Sequence, residues 1–218
     1  HGLRTHALTS PGRHRALTTL LLLGPATPLL FMGQEFAASN PFHYFADHEP
    51  ALAALVRDGR AGFMSQFPRI TPLGAGCQLT DPSEPDTFAR SKLNWEERER
   101  NQESMALHRD LLRLRRDDSN FSRQDKCQIE GAVLGQESFV LRWFDDTGDD
   151  RLMLLNLGRD FDLRPVAEPL FAAPDGRDWR MLWSSESPRY GGIGSSAFDE
   201  KRWHIPGHAA VVLTAKPQ

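Results

Sequence analysis

A single short apolar run, Pro28-Leu29-Leu30-Phe31-Met32, stands alone among the helix-like patterns of the first 120 residues and stops at Gly33. Such a run suits a strand buried on both faces, as in a parallel sheet covered by helices. A parallel strand needs neighbours on both sides. The stretch before residue 120 supplies no second run of this type. About 115 residues with one central strand therefore read as the end of something larger.

The surrounding pattern is helical. Ser10 is placed as an N-cap with Pro11 at the first helical position, and the helix is expected to run to Leu23 and stop at Gly24-Pro25. Helix, short loop and buried strand is the alternation of an α/β fold. From Glu49 the apolar residues Ala51, Leu52, Leu55 and Val56 share one helical face, with Gly59 as a stop and Arg60–Phe67 as a further helical piece. Pro68–Pro85 carries little periodicity and reads as an excursion loop. Trp95–Arg116 predicts the strongest helix, with Met105, Leu107, Leu111, Leu112 and Leu114 as its apolar stripe.

After Asp117-Asp118 the texture changes. Cys127–Val133, Ser138–Phe144, Leu152–Leu157, Trp179–Trp183 and Ala209–Ala215 read as strands, and no helix of any length is suggested beyond about residue 120. Asp145-Asp146-Thr147-Gly148, Pro174-Asp175-Gly176 and Tyr190-Gly191-Gly192 supply the turns between them. The expected division is an α/β part over 1–120 and a small antiparallel all-β domain over 121–218, the boundary falling near 117–125.

Composition narrows the function classes. The 26 Lys+Arg and 29 Asp+Glu of the 218 residues leave a net charge of −3, which removes the electrostatic footprint of nucleic-acid binding. Cys77 and Cys127 are not in metal-type spacing, and none of the eight histidines forms a ligand pair such as H-E-x-x-H, so neither metal nor cofactor is expected. Arg13-His14-Arg15 followed by Ala16–Leu23 has the look of a signal peptide, but the apolar run halts at Gly24-Pro25. No stretch reaches the roughly 18 apolar residues of a membrane span. The expectation is a cytoplasmic protein without a membrane partner.

The densest chemistry follows the lone apolar run. Gly33-Gln34-Glu35-Phe36 and Pro41-Phe42-His43-Tyr44-Phe45-Ala46-Asp47-His48 interleave aromatic rings with Gln, Glu, His and Asp, at the carboxyl end of the expected strand where α/β folds place ligands. Flat rings suit sugar faces, and carboxylates and amides suit hydroxyls. The alternative is a loop whose aromatics only cap the sheet end. Glu35 and Asp47, twelve positions apart, are a weak candidate for a glycosidase carboxyl pair, which needs rigid placement. There is no G-x-S-x-G, and Gly191-Gly192-Ile193-Gly194 lacks the strand-to-helix context of a phosphate loop. Trp95 reads as packing ahead of sugar stacking, and Trp143, Trp179, Trp183 and Trp203 as core of the β domain.

Thr27-Pro28-Leu29-Leu30-Phe31-Met32-Gly33-Gln34-Glu35-Phe36 resembles the eighth-strand segment of α-amylase-type (β/α)8 barrels, notably in glycogen branching enzymes and malto-oligosyltrehalose trehalohydrolases. Ser39-Asn40-Pro41-Phe42-His43-Tyr44-Phe45-Ala46-Asp47-His48-Glu49 and Thr87-Phe88-Ala89-Arg90-Ser91-Lys92-Leu93-Asn94-Trp95 are similar to the trehalohydrolases. The resemblance covers residues 1–116 closely and the β tail more loosely. It implies the C-terminal end of a TIM barrel followed by a small β-sandwich domain. It also implies a retaining hydrolase that cleaves the α-1,4 bond next to the terminal trehalose of maltooligosyltrehalose, releasing trehalose. A branching-enzyme fragment and a non-catalytic carbohydrate-binding module are the alternatives.

The family's catalytic Asp, Glu and second Asp lie on earlier strands, the last in an Asn-His-Asp segment that this chain does not contain. No catalytic residue is therefore assigned, the chain alone is expected to be inactive, and its His1 start is expected to be a cut just past the catalytic groups. The residues that match substrate-proximal positions are Gln34, Glu35, Phe42, Tyr44, Asp47 and His48. Glu35 could equally be a buried anchor. The implied partners are maltooligosyltrehalose or another α-glucan oligosaccharide, and the missing N-terminal part of the barrel.

Overall fold

The computed structural model describes residues 2–67, 80–123, 128–163, 168–194 and 203–218. Cys77, Cys127 and most of the Pro68–Pro85 excursion lie outside the described residues. Among the described residues, six α-helices come first: α1 (Pro11–Leu23), α2 (Pro50–Met64), α3 (Pro85–Ser91), α4 (Glu97–Arg100), α5 (Gln102–Asp117) and α6 (Ser119–Ser122). The described strands that follow are β1 (Ile129–Val133), β2 (Ser138–Trp143), β3 (Arg151–Asn156), β4 (Phe161–Leu163), β5 (Arg177–Ser184), β6 (Trp203–Ile205) and β7 (Ala209–Pro217).

α1 begins and ends where its sequence signals lie. The Ser10 hydroxyl accepts a bond from the Arg13 amide, Pro11 opens the helix, and Gly24 closes it. α2 departs from expectation. It runs through Gly59, so the separate piece over Arg60–Phe67 is its own continuation to Met64. A glycine there weakens the helix by about 1 kcal/mol without stopping it. The Trp95–Arg116 helix is also revised, because Asn101 (φ −100°, ψ 48°) breaks it into α4 and α5. The Asn101 amide turns away from the helix to donate to the Phe36 carbonyl at 2.8 Å. α3, α6 and the short strands β4 and β6 carry too few residues for a periodic signal and were not anticipated.

Pro28–Met32 is not a strand. Among the described residues no strand lies beside it, so its backbone has no ladder to join, and Leu29 is 87% exposed. The run ends in consecutive turns over residues 32–37.

The β part is an antiparallel sheet in the order β1-β2-β3-β7-β5, with β4 and β6 paired as a separate ribbon. Every residue of β3 is buried, which requires cover on both faces. Alternation along the strands builds two cores. Met153, Leu155, Ala210 and Val212 face α1 and α5, meeting Ala16, Leu22, Leu23, Leu107 and Leu111. Leu152, Leu154, Val211 and Leu213 face the opposite way, against Leu170, Phe171, Trp203 and Ile205. Trp179 and Trp183 share parity but not a face, because a bulge in β5 between Met181 and Trp183 turns Trp183 to the helix side. All four tryptophans of the β part are buried, in line with their reading as core.

Candidate functional site

The segment from Gly33 to His48 is held in place by groups distant in sequence. Three carbonyls at the end of α1 are gathered by the Arg115 guanidinium, Leu22 at 2.7 Å, Gly24 at 2.8 Å and Ala26 at 3.0 Å. This satisfies the orphan acceptors of a helix C-terminus and explains a buried arginine on α5. The chain then turns at Gly33, whose φ of +80° is left-handed and where an added Cβ would come within 2.6 Å of Leu93 Cδ2 and 2.8 Å of the Ala38 methyl, leaving no room for a side chain. Arg4, buried beneath the segment, donates to the Met32 carbonyl and the Asn40 carbonyl, each at 2.8 Å. Glu97 of α4 accepts from the Ser39 amide at 2.9 Å and from its hydroxyl, and those bonds hold the carboxyl below its usual range.

The following stretch lies on α3. Ser91 of α3 accepts from the His43 amide at 3.0 Å, and the Ala46 amide donates to the Pro82 carbonyl at 3.0 Å. Phe31, Phe42, Phe45 and Phe88 form a continuous row, with centroids 4.9, 5.9 and 5.0 Å apart. Burial, helped by the Arg90 charge, lowers the His43 imidazole pKa.

The six candidate residues fall into distinct roles. Gln34 is half-buried and its carbonyl oxygen accepts from the Phe31 amide at 3.3 Å, closing the turn. Glu35, also half-buried, lies within electrostatic reach of Arg4 and of His108 on α5. Phe42 belongs to the aromatic row. Tyr44 projects outward with the Arg60 guanidinium 4.4 Å from its ring centroid. Asp47 is exposed and His48 half-buried, just before α2. Among the described residues no hydrogen bond or ion pair links any two of the six. Nor is any group of three or more His, Cys, Asp or Glu arranged to hold a metal ion among them. Among the described residues no helix is long and apolar enough to cross a membrane.

A histidine cluster behind the segment had no sequence signal. His6 and His14 meet edge to face at 5.9 Å, and His108 donates from Nδ1 to the Ser104 carbonyl at 2.9 Å. Burial, reinforced by the charges of His6, His108 and Arg15, lowers the His14 pKa to about 4. Arg4, Ser91, Glu97, Asn101 and Arg115, which hold the segment, were likewise invisible, since each acts on backbone atoms tens of residues away.

Residues 129–212 match the family model described as Domain of unknown function (DUF3459). A malto-oligosyltrehalose trehalohydrolase from Deinococcus radiodurans is 40% identical over 170 residues, 77% of this chain and 27% of that protein. The chain is related to the malto-oligosyltrehalose trehalohydrolases. The trehalohydrolase from Arthrobacter ramosus is 38% identical over 122 residues, 53% of this chain and 20% of that protein. The chain thus spans 27% and 20% of the length of these two trehalohydrolases. Among solved structures, an alpha amylase candidate from Salmonella typhimurium superposes with a TM-score of 0.73 at 26% identity, covering 98% of this chain and 32% of that one. A pullulanase from Anoxybacillus sp. LM18-11, complexed with maltotetraose, shares the fold at a TM-score of 0.55 and 16% identity, covering 96% and 25%.

Proposed function

We propose that this chain is the C-terminal part of a glycoside hydrolase that cleaves maltooligosyltrehalose next to its terminal trehalose and releases trehalose. In this reading residues 1–120 close a (β/α)8 barrel, and residues 121–218 form the β-sandwich domain behind it. The Gly33–His48 segment lies at the barrel mouth, with Tyr44, Asp47 and His48 reaching the glucan and Gln34, Glu35 and Phe42 shaping the wall. The observation that carries the proposal is 40% identity over 170 residues to a protein named malto-oligosyltrehalose trehalohydrolase. The exposed Leu29, Phe31 and Met32 support it, as an apolar edge suited to the rest of a barrel. The reading carries a cytoplasmic location with it.

The test uses the gene product that includes the sequence preceding His1. Incubated with maltooligosyltrehalose it is expected to release trehalose, whereas the 218-residue chain alone releases none. New α-1,6 branches in place of trehalose would assign a branching enzyme. Glucan binding without turnover by the longer product would assign a non-catalytic module.

A further inference from the structure

The sequence favours packing for Trp95, yet it is 61% exposed, the one tryptophan of the chain's five that is not buried. Its backbone is fixed on both sides. Asn94 accepts from the Glu96 amide at 3.2 Å, and the Trp95 carbonyl accepts from the Arg98 amide at 3.2 Å. The indole meets the buried Phe36 ring at 5.8 Å, so one edge is anchored while the rest stays in solvent. It forms one wall of an open pocket of about 250 Å³ completed by Arg98, Glu99, Gln102, Met105 and Arg109.

The lining selects its ligand. Leaving an indole in water forgoes the roughly 25 cal/mol per Å² that its apolar surface gains on burial. Among the described residues, Arg98, Glu99 and Arg109 make no ion pair, so their donors and acceptors are available beside the ring. Arg98 stands 5.9 Å from the indole centroid, near the outer limit of cation–π attraction. Two guanidiniums would suit an anion, but Glu99 lies in the same pocket and opposes one. A neutral ligand with an apolar face and a rim of hydroxyls satisfies ring, carboxylate and guanidinium together, which describes a sugar ring. The volume is below the roughly 300–1,000 Å³ of clefts that enclose a drug-sized ligand, which limits the occupant to one or two rings of a longer chain.

We propose that this pocket, which adjoins the Gly33–His48 segment at Phe36 but is lined by residues outside it, is a second α-glucan subsite where glucose units stack on Trp95 and hydrogen-bond to Gln102, Arg109 and Glu99. The proposal rests on the glucan-acting reading above. Trp95 dominates the quencher-accessible fluorescence because the other four tryptophans are buried. The experiment titrates the 218-residue chain with maltohexaose while following tryptophan emission and its quenching by acrylamide. A saturable emission change with protection from acrylamide is expected. Trp95→Ala should weaken calorimetric affinity at least roughly tenfold, as for an aromatic anchor, with Trp95→Phe intermediate. Gln102→Ala, at an exposed position where the lost side-chain bond is the one to the Arg98 carbonyl at 2.9 Å, should weaken affinity with the unliganded spectrum unchanged. Unaltered quenching at saturating maltohexaose, or equal affinity in the Trp95→Ala chain, overturns the proposal. If Trp95 is silent while the longer gene product releases trehalose, the subsite fails and the hydrolase reading stands. If Trp95 is protected and no trehalose appears, only the hydrolase reading fails.

Discussion

At the scale of single residues, buried charge decides more than surface charge. Arg15 on α1 pairs with Glu186 at 2.6 Å, both nearly excluded from solvent, and donates to the Ser185 carbonyl at 2.9 Å. Removing one member of such a pair leaves the other charged and buried, at a cost of about 3–5 kcal/mol. Arg15→Met is therefore expected to lower the urea midpoint sharply, and the double variant Arg15→Met with Glu186→Leu to recover most of it. A double variant as unstable as the single would show that the lost carbonyl bonds dominate. His14 sets a pH dependence. Its folded pKa is about 4 against an ordinary 6.5, so between those values the unfolded chain binds the proton that the folded one refuses. Stability contributed by His14 is complete above pH 6.5 and is lost as pH falls toward 4. At roughly 1.4 kcal/mol per pH unit the ceiling is about 3 kcal/mol, reduced by solvent screening of a half-buried ring. His6, His43 and His108 shift the same way, so His14→Gln should flatten the urea midpoint across this window only in part. Unchanged pH dependence in that variant would exclude His14 as a contributor.

At the scale of elements, the segment over 33–48 depends on one glycine and several remote clamps. Gly33→Ala must hold φ near +80° and bring a methyl to about 2.8 Å from Ala38, a strain of about 1–3 kcal/mol. The expected outcome is a lower thermal midpoint and faster proteolytic cleavage within residues 33–48, with the β strands unaffected. Cleavage at the wild-type rate would mean that Arg4 and Glu97 suffice without the turn. The elements that sequence read well are those with local signals: the Ser10-Pro11 start and Gly24 stop of α1, the apolar β-forming runs of β2, β3 and β7, and the Asp-Thr-Gly and Asp-Gly turns. Apart from the Gly59 stop, whose cost the helix simply bears, those it misread turned on distant atoms. Asn101 broke a periodic helix because a carbonyl 65 residues away accepts its amide.

At the scale of the whole molecule, α1 and α5 from the first part and β3 and β7 from the second close one core. A textural boundary near residue 120 is thus crossed by packing. Expressing residues 121–218 alone would uncover the face carrying Met153, Leu155 and Val212. That piece is expected to bind a hydrophobic dye and to lose cooperative urea unfolding, which the full chain retains. Cooperative, dye-silent unfolding of the piece would show that its second core, around Leu154 and Leu213, is sufficient by itself.

The candidate site was legible as a segment but not as an arrangement. The Gly-Gln-Glu and Pro-Phe-x-Tyr-Phe-x-Asp-His strings nominate the segment, and structure placed Gln34 in a turn bond and Tyr44 outward, a distinction that side-chain type does not encode. Sequence by itself determined the caps of the first helix, turn positions, the apolar strand runs and the buried tryptophans of the β part, because each depends on residues within a few positions of one another. Tertiary structure alone decided that Pro28–Met32 stays unpaired, that a bulge sends Trp179 and Trp183 to opposite faces, that Arg15 and Arg115 lie buried, and that Trp95 meets solvent. Each of those outcomes depends on which partner arrives across the fold, and neither periodicity nor propensity carries that information.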